Sequence, residues 1–265
     1  MQIESHLPEP ALRHLLKEYY YFSSGEQATS RFVPVIDDCC YDFIFFRERE
    51  STLVWGGKPS RIPVPYKVFT IHQLRPPYQI RFGDSLTFFT VKAQPWANAH
   101  FFGRLGKPGV ADLLPVYPRL EGLYASLMEA PSPEVCFGLA DNFFRDTADA
   151  LSPGAQMARQ LCQAIAESEG RITVKELSES FERSRQYLGK VFRQEVLYSL
   201  KYFILTVRMM GLVKFRIKNP EVSMTELCYR FGYFDQPHFN RDFKRICGVT
   251  PTRFFGNLPE FLLRH

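Results

Sequence analysis

Toward the C-terminus, apolar residues recur with a helical period, and the pattern occurs twice. In GYFDQPHFNRDFK (232–244), Phe239 and Phe243 lie four apart and Ile246 follows three later, forming one apolar stripe at about 100° per residue. Opposite it stand Pro237, His238, Arg241, Lys244 and Arg245. Asp235 precedes the first turn as an N-cap, and Gly232 supplies a turn upstream. Just before this, VSMTELCYRF (222–231) places Met224, Leu227, Cys228 and Phe231 at helical spacing. A short helix, a glycine-bearing turn and a second amphipathic helix predict a helix-turn-helix over about 222–246.

TVKELSESFERSRQYLGKVFRQEV (173–196) has the same layout. Val174, Leu177 and Phe181 mark one helix, a polar turn ends at Ser184, and Leu188, Val191 and Phe192 mark the second. The two cap positions, Ser184 and Asp235, are 51 residues apart. Between the units, LKYFILTVRMMGLVKFRI predicts a linker helix over about 199–217, roughly 27 Å long. Such a rod would hold two reading helices about one duplex turn apart, near 34 Å, on one face of DNA.

The N-terminal half has a different texture. From Arg31 to about Gly103 it is rich in β-branched and aromatic residues cut by Pro and Gly, as in RFVPVI, CYDFIFF, TLVWGG, YKVFTIHQL and LTFFTV. These runs predict short strands in a sheet or small barrel. Beyond GKPG (106–109) helices are expected over 120–130 and 134–151, and SPGAQ (152–156) reads as a joint with Pro153 starting a helix over 155–168. The expected class is therefore α+β. A β-rich domain, sheet or barrel, spans 1–152, and an all-α domain with two helix-turn-helix units joined by a long helix spans 153–265.

Charge separates along the same line. The chain carries a formal +5. Residues 155–265 hold 18 Lys and Arg against 11 Asp and Glu, a balance of +7, and residues 1–154 hold 15 against 17, a balance of −2. Positive charge thus collects where phosphates would be met. No run of about eighteen apolar residues is present, and MQIESHLPEP lacks the form of a signal peptide, so a cytoplasmic protein with no membrane partner is expected. The six cysteines (39, 40, 136, 162, 228, 247) show no C-x-x-C and are expected to be reduced thiols in packed surroundings.

Residues 171–255 resemble the DNA-binding domain of the arabinose-operon regulator (AraC) family of bacterial transcription factors. TELCYRFGYFDQPHFNRDFKRICGVTPTRFF (225–255) resembles the family signature nearly position by position. In the first unit SRQYLGKVFRQE (184–195) fits, but Leu197 and Leu200 stand where the family usually has Gly and Pro, and Gly189 fills a slot often held by a long polar side chain. The resemblance implies double-stranded DNA as partner, promoter binding that alters recruitment of RNA polymerase, more often activating than repressing, and an N-terminal domain, often a cupin-like barrel, that senses a small-molecule effector or forms a homodimer.

Family pattern and helical wheel agree on Gln236, His238 and Arg241 for base contact. Lys244, Arg245 and Arg193 are expected at phosphates, and Gln186 and Lys190 carry the first helix, with less discrimination because Gly189 offers base edges nothing. His238 also suits a packing or surface role, and Gln236 a backbone contact. In the N-terminal half Trp55, His72, Tyr78, Phe82 and Trp96 are the residue types that line an effector pocket, although at strand spacing such residues are more often ordinary core. No cofactor or metal is expected, since His72 and His100 stand apart and no H-x-H occurs. No catalytic residue is expected either: there is no phosphate-binding Gly loop, G-x-S-x-G elbow or carboxylate pair. The competing reading is a DNA-tethered modifying enzyme whose alkyl acceptor is Cys39 or Cys40 in DDCCYDF. Flanking carboxylates would raise those thiols and blunt them.

Overall fold

The computed structural model describes residues 2–23, 32–34, 38–47, 51–55, 60–64, 66–72, 78–81, 87–106, 108–147 and 149–256. The strands are β1 (Gln2–His6), β2 (Leu16–Ser23), β3 (Phe32–Pro34), β4 (Asp42–Phe46), β5 (Ser51–Trp55), β6 (Ser60–Val64), β7 (Val68–His72), β8 (Tyr78–Arg81), β9 (Thr87–Ala93) and β10 (Gly109–Asp112). They form two antiparallel sheets, a six-stranded one ordered β1-β2-β9-β4-β7-β10 and a four-stranded one ordered β3-β8-β5-β6.

Alternation decides which face of the larger sheet is covered. Tyr19, Phe43, Phe45, Phe89 and Val91 are buried on one side. They pack against α1 (Asn98–Phe102), α2 (Leu120–Glu129) and α3 (Pro133–Arg145) through Phe101, Phe102, Leu123, Phe137 and Phe144. Two strands lie outside the region where strands are expected. β1 and β2 precede Arg31, and the signal was the run KEYYYFS, whose continuous aromatics alternate only in the folded sheet. β10 lies beyond Gly106 and is specified by pairing with β7, a long-range contact. The helix expected over 134–151 ends at Arg145.

The rest is helical: α4 (Pro153–Glu167), α5 (Val174–Ser180), α6 (Arg185–Val196), α7 (Leu200–Lys218), α8 (Met224–Arg230), α9 (Gln236–Cys247) and α10 (Pro251–Phe255). Short helices need their orphan amides met. α5 and α8 each carry a capping box, Thr173 with Glu176 and Ser223 with Glu226. The reciprocal hydrogen bonds hold both glutamates below the usual carboxylate range.

α7 serves two cores. Leu200, Phe203 and Ile204 pack with α4, α5 and α6, and Leu205, Met209, Leu212 and Val213 pack with α8, α9 and α10. One helix is thus the shared wall of both units. α9 ends at Gly248 in the left-handed region (φ 76°), and α6 ends at Leu197 in the same region (φ 65°), where a Cβ is unfavourable. Leu197 and Tyr198 pack against the core of the N-terminal sheet, with Tyr198 tilted against Tyr41 at 5.6 Å. That contact accounts for a leucine in place of the glycine the family pattern expects.

Candidate nucleic-acid interface

In α9 the N-cap Asp235 accepts from the His238 amide at 2.6 Å, and Pro237 occupies the first turn, where the missing N–H would lack a partner anyway. Phe239, Phe243, Ile246 and Cys247 are buried, with Phe239 and Phe243 edge to face at 5.7 Å. Burial pushes the Cys247 thiol up to about 12. Gln236, His238, Arg241, Lys244 and Arg245 are all exposed. Each polar residue named on this helix therefore stands free of the core.

Their surroundings differ. Gln236 Nε2 donates to Thr225 Oγ1 at 2.8 Å, which ties the start of α9 to α8. His238 lies 3.4 Å from Asp242 Oδ2 and edge-on to Tyr233, whose hydroxyl also donates to Asp242 at 3.2 Å. His238 thus has local contacts on the flank of the helix. The Arg245 guanidinium lies over the Tyr202 ring at 5.9 Å. Among the described residues Arg241 and Lys244 form no ion pair. An exposed cation held by nothing in its own chain remains available to an anion.

In α6 Ser184 Oγ accepts from the Tyr187 amide at 3.1 Å, and Leu188, Val191, Phe192 and Val196 are buried. Gln186, Lys190 and Arg193 are exposed and line one open groove of about 990 Å³ between α5, α6 and α7. Six cations border it: Lys175, Arg185, Lys190, Arg193, Lys201 and Arg208. Gly189 lies on the same groove with open space where a Cβ would be. Lys175, Arg185, Lys201 and Arg208 join this set without a sequence signal that groups them. Two of them sit on α7, which periodicity marks only as a rod, so their neighbourhood with α6 depends on the 69° bend between α6 and α7. Asn240 is exposed beside Arg241.

Of the residues named for an effector pocket, only His72 and Trp96 have described side chains. His72, on the larger sheet, is buried and edge-on to Tyr41 at 6.0 Å. Trp96 donates to the His14 carbonyl at 2.7 Å beneath the Arg159 guanidinium. Trp55 and Tyr78 are cross-strand partners in the four-stranded sheet. Their side chains, and Phe82, lie outside the described residues. A cavity of about 20 Å³ lined by Tyr21, Arg47, Phe89 and Cys136 holds room for about one water, and neither His72 nor Trp96 lines it. Among the described residues no three His, Cys, Asp or Glu side chains group to hold a metal, and no single helix is long and apolar enough to cross a membrane.

Cys39 and Cys40 are buried. Burial, with Asp38 alongside, pushes the Cys40 thiol up to about 12, away from the thiolate a nucleophile needs. Burial would raise Asp38, but Lys17 at 3.2 Å and Lys92 at 3.0 Å outweigh it and hold its carboxyl below the ordinary value. Asp42, paired across from Lys92 between β4 and β9, is pushed up to about 7 by burial.

Asn98 helps to join the two halves. The fully buried Asn98 donates through Nδ2 to the carbonyls of Cys39 and Val196, both at 2.9 Å, and its Oδ1 accepts from the Tyr41 amide at 3.2 Å. The Cys39 thiol also meets Thr206 Oγ1 of α7 at 3.7 Å. The C-terminal end of α6 is thus fastened to the N-terminal sheet.

Residues 177–257 match the model of a family described as a helix-turn-helix domain. The chain is 32% identical over 83 residues to the Msm operon regulatory protein of Streptococcus mutans, covering 31% of this chain and 30% of that protein. It is 29% identical over 121 residues to the uncharacterized transcriptional regulatory protein YesN of Bacillus subtilis, covering 43% and 33%. The chain spans about a third of the length of the curated relatives it matches. Among solved structures, the C-terminal domain of AraT, a response regulator from Geobacillus stearothermophilus, aligns at 27% identity over 40% of this chain and 86% of that one, with a TM-score of 0.35. ToxT from Vibrio cholerae aligns at 11% identity over 98% of both chains, with a TM-score of 0.46.

Proposed function

We propose that this chain, whose C-terminal region carries an AraC-type helix-turn-helix domain, is a transcriptional regulator that binds double-stranded DNA at two adjacent major-groove segments through α6 and α9. The observation that supports this most is the exposure of every residue assigned to contact. Gln186, Lys190 and Arg193 on α6, and Gln236, His238, Arg241, Lys244 and Arg245 on α9, stand opposite fully buried apolar stripes. α7, at 19 residues, spans about 28 Å, close to one duplex turn.

In this reading Arg241 and Gln236 read base edges. Gln236 gives up its bond to Thr225 or keeps it while presenting its oxygen. Lys244, Arg245, Arg193 and the other cations of the α5–α6–α7 groove hold phosphates. Residues 153–265 form the DNA-binding domain. Residues 1–152 form a regulatory domain that answers a small molecule or a second copy of the chain, and the bound protein acts on RNA polymerase recruitment in the cytoplasm. The buried, raised Cys40 thiol gives no support to an alkyl-accepting enzyme.

The test is selection of bound duplexes from a random-sequence library with the full chain, followed by affinity measurements against salt. Two short conserved blocks about one turn apart, with log K falling steeply against log salt, are expected. Binding without sequence preference, or a single block, would contradict the reading.

A further inference from the structure

Phe234 is the most exposed large hydrophobic among the described residues, 89% accessible. The chain around it alternates: Tyr233 is turned in and 2% exposed, Phe234 is turned out, and Asp235 caps α9 in extended backbone. Phe234 therefore stands two residues ahead of Gln236, at the end of the second helix that enters the groove in a helix-turn-helix.

Chemistry narrows what covers the ring. The centre of a protein–protein contact is depleted of charge. Asp235, His238 and Arg241, close to Phe234 in sequence, are exposed as well, on the helix proposed above to meet a polyanion. In the major groove the apolar group open to such a ring is the 5-methyl of thymine. Resting on the DNA-binding reading above, we infer that Phe234 is a specificity-determining residue that contacts a thymine methyl in the segment read by α9.

The experiment uses the full chain and a duplex enriched from a random library. Each thymine is replaced in turn by deoxyuridine, which removes only the methyl, and affinity is measured by fluorescence anisotropy for the wild type and Phe234→Ala. One thymine is expected at which deoxyuridine weakens the wild type about fourfold, the worth of one buried methyl. Phe234→Ala should bind the parent duplex correspondingly less well and show no further loss at that position, and Phe234→Leu should restore part of the methyl dependence. Equal deoxyuridine effects in both proteins at every position would overturn the inference. So would a uniform loss of Phe234→Ala on all duplexes, random ones included. Unchanged DNA binding by Phe234→Ala would assign the ring to a protein contact and overturn it too. A chain that enriches no sequence overturns the DNA-reading function together with this inference, whereas enrichment without methyl dependence overturns this inference alone.

Discussion

Replacing Asn98 by alanine tests the junction between the two halves. The side chain is fully buried and supplies partners to three backbone groups: the carbonyls of Cys39 and Val196 and the amide of Tyr41. Truncation removes the Asn98 hydrogen bond from all three, each at about 1 to 3 kcal/mol. A water entering the vacated space would recover part of this, so the expected loss is about 3 to 5 kcal/mol. For a domain of about 150 to 250 residues that corresponds to a fall in melting temperature of roughly 10 °C. Thermal or urea unfolding of the full chain measures it, and amide exchange at Tyr41 and around Leu197 should quicken together. Asn98→Asp sharpens the reasoning. It retains the acceptor for Tyr41 but sets a carboxylate against two carbonyl oxygens, so it should be worse than alanine. A loss below about 1 kcal/mol for Asn98→Ala, or a stable Asn98→Asp, would refute the assignment of Asn98 as the bridge.

Other expectations concern the interface and the N-terminal charges. Arg241→Ala should weaken specific binding by about 1 to 3 kcal/mol and relax preference at one position, read against a panel of single-base variants; an unchanged profile counts against base contact. Lys244→Ala and Lys190→Ala should each weaken binding evenly across sequences and reduce the salt slope by about one, seen in titrations at several salt concentrations. Asp42, pushed up to about 7 by burial, keeps its proton in the folded chain between roughly pH 4 and 7 while the unfolded chain releases it. Its contribution therefore falls as pH rises through that window, by at most about 1.4 kcal/mol per pH unit, and levels off above pH 7. Urea midpoints across pH 5 to 8 should show this slope in the wild type and a flatter one in Asp42→Asn.

Helical periodicity marked both units because a 3.6-residue repeat, a capping side chain and a turn residue act within one or two turns of chain. Ser184 and Asp235 cap where their positions predict, and Phe239, Phe243 and Ile246 are buried as their spacing requires. The same local rule exposes Arg241 and Lys190, since a residue opposite a buried stripe has only solvent to face. β10 escaped because four residues become a strand only when β7 lies beside them.

The sequence by itself determined the twin helix pairs, the helix between them, the charge that collects there and the strand-rich character of the N-terminal half, all set by neighbours in the chain. Only the tertiary structure decided that Lys201 and Arg208 join Lys190 and Arg193 around one groove, that Leu197 accepts a left-handed backbone to reach the N-terminal core, and that Asn98 ties Cys39 to Val196. Those contacts join residues far apart in the chain, so no periodicity records them, and they exist only once burial brings the partners together.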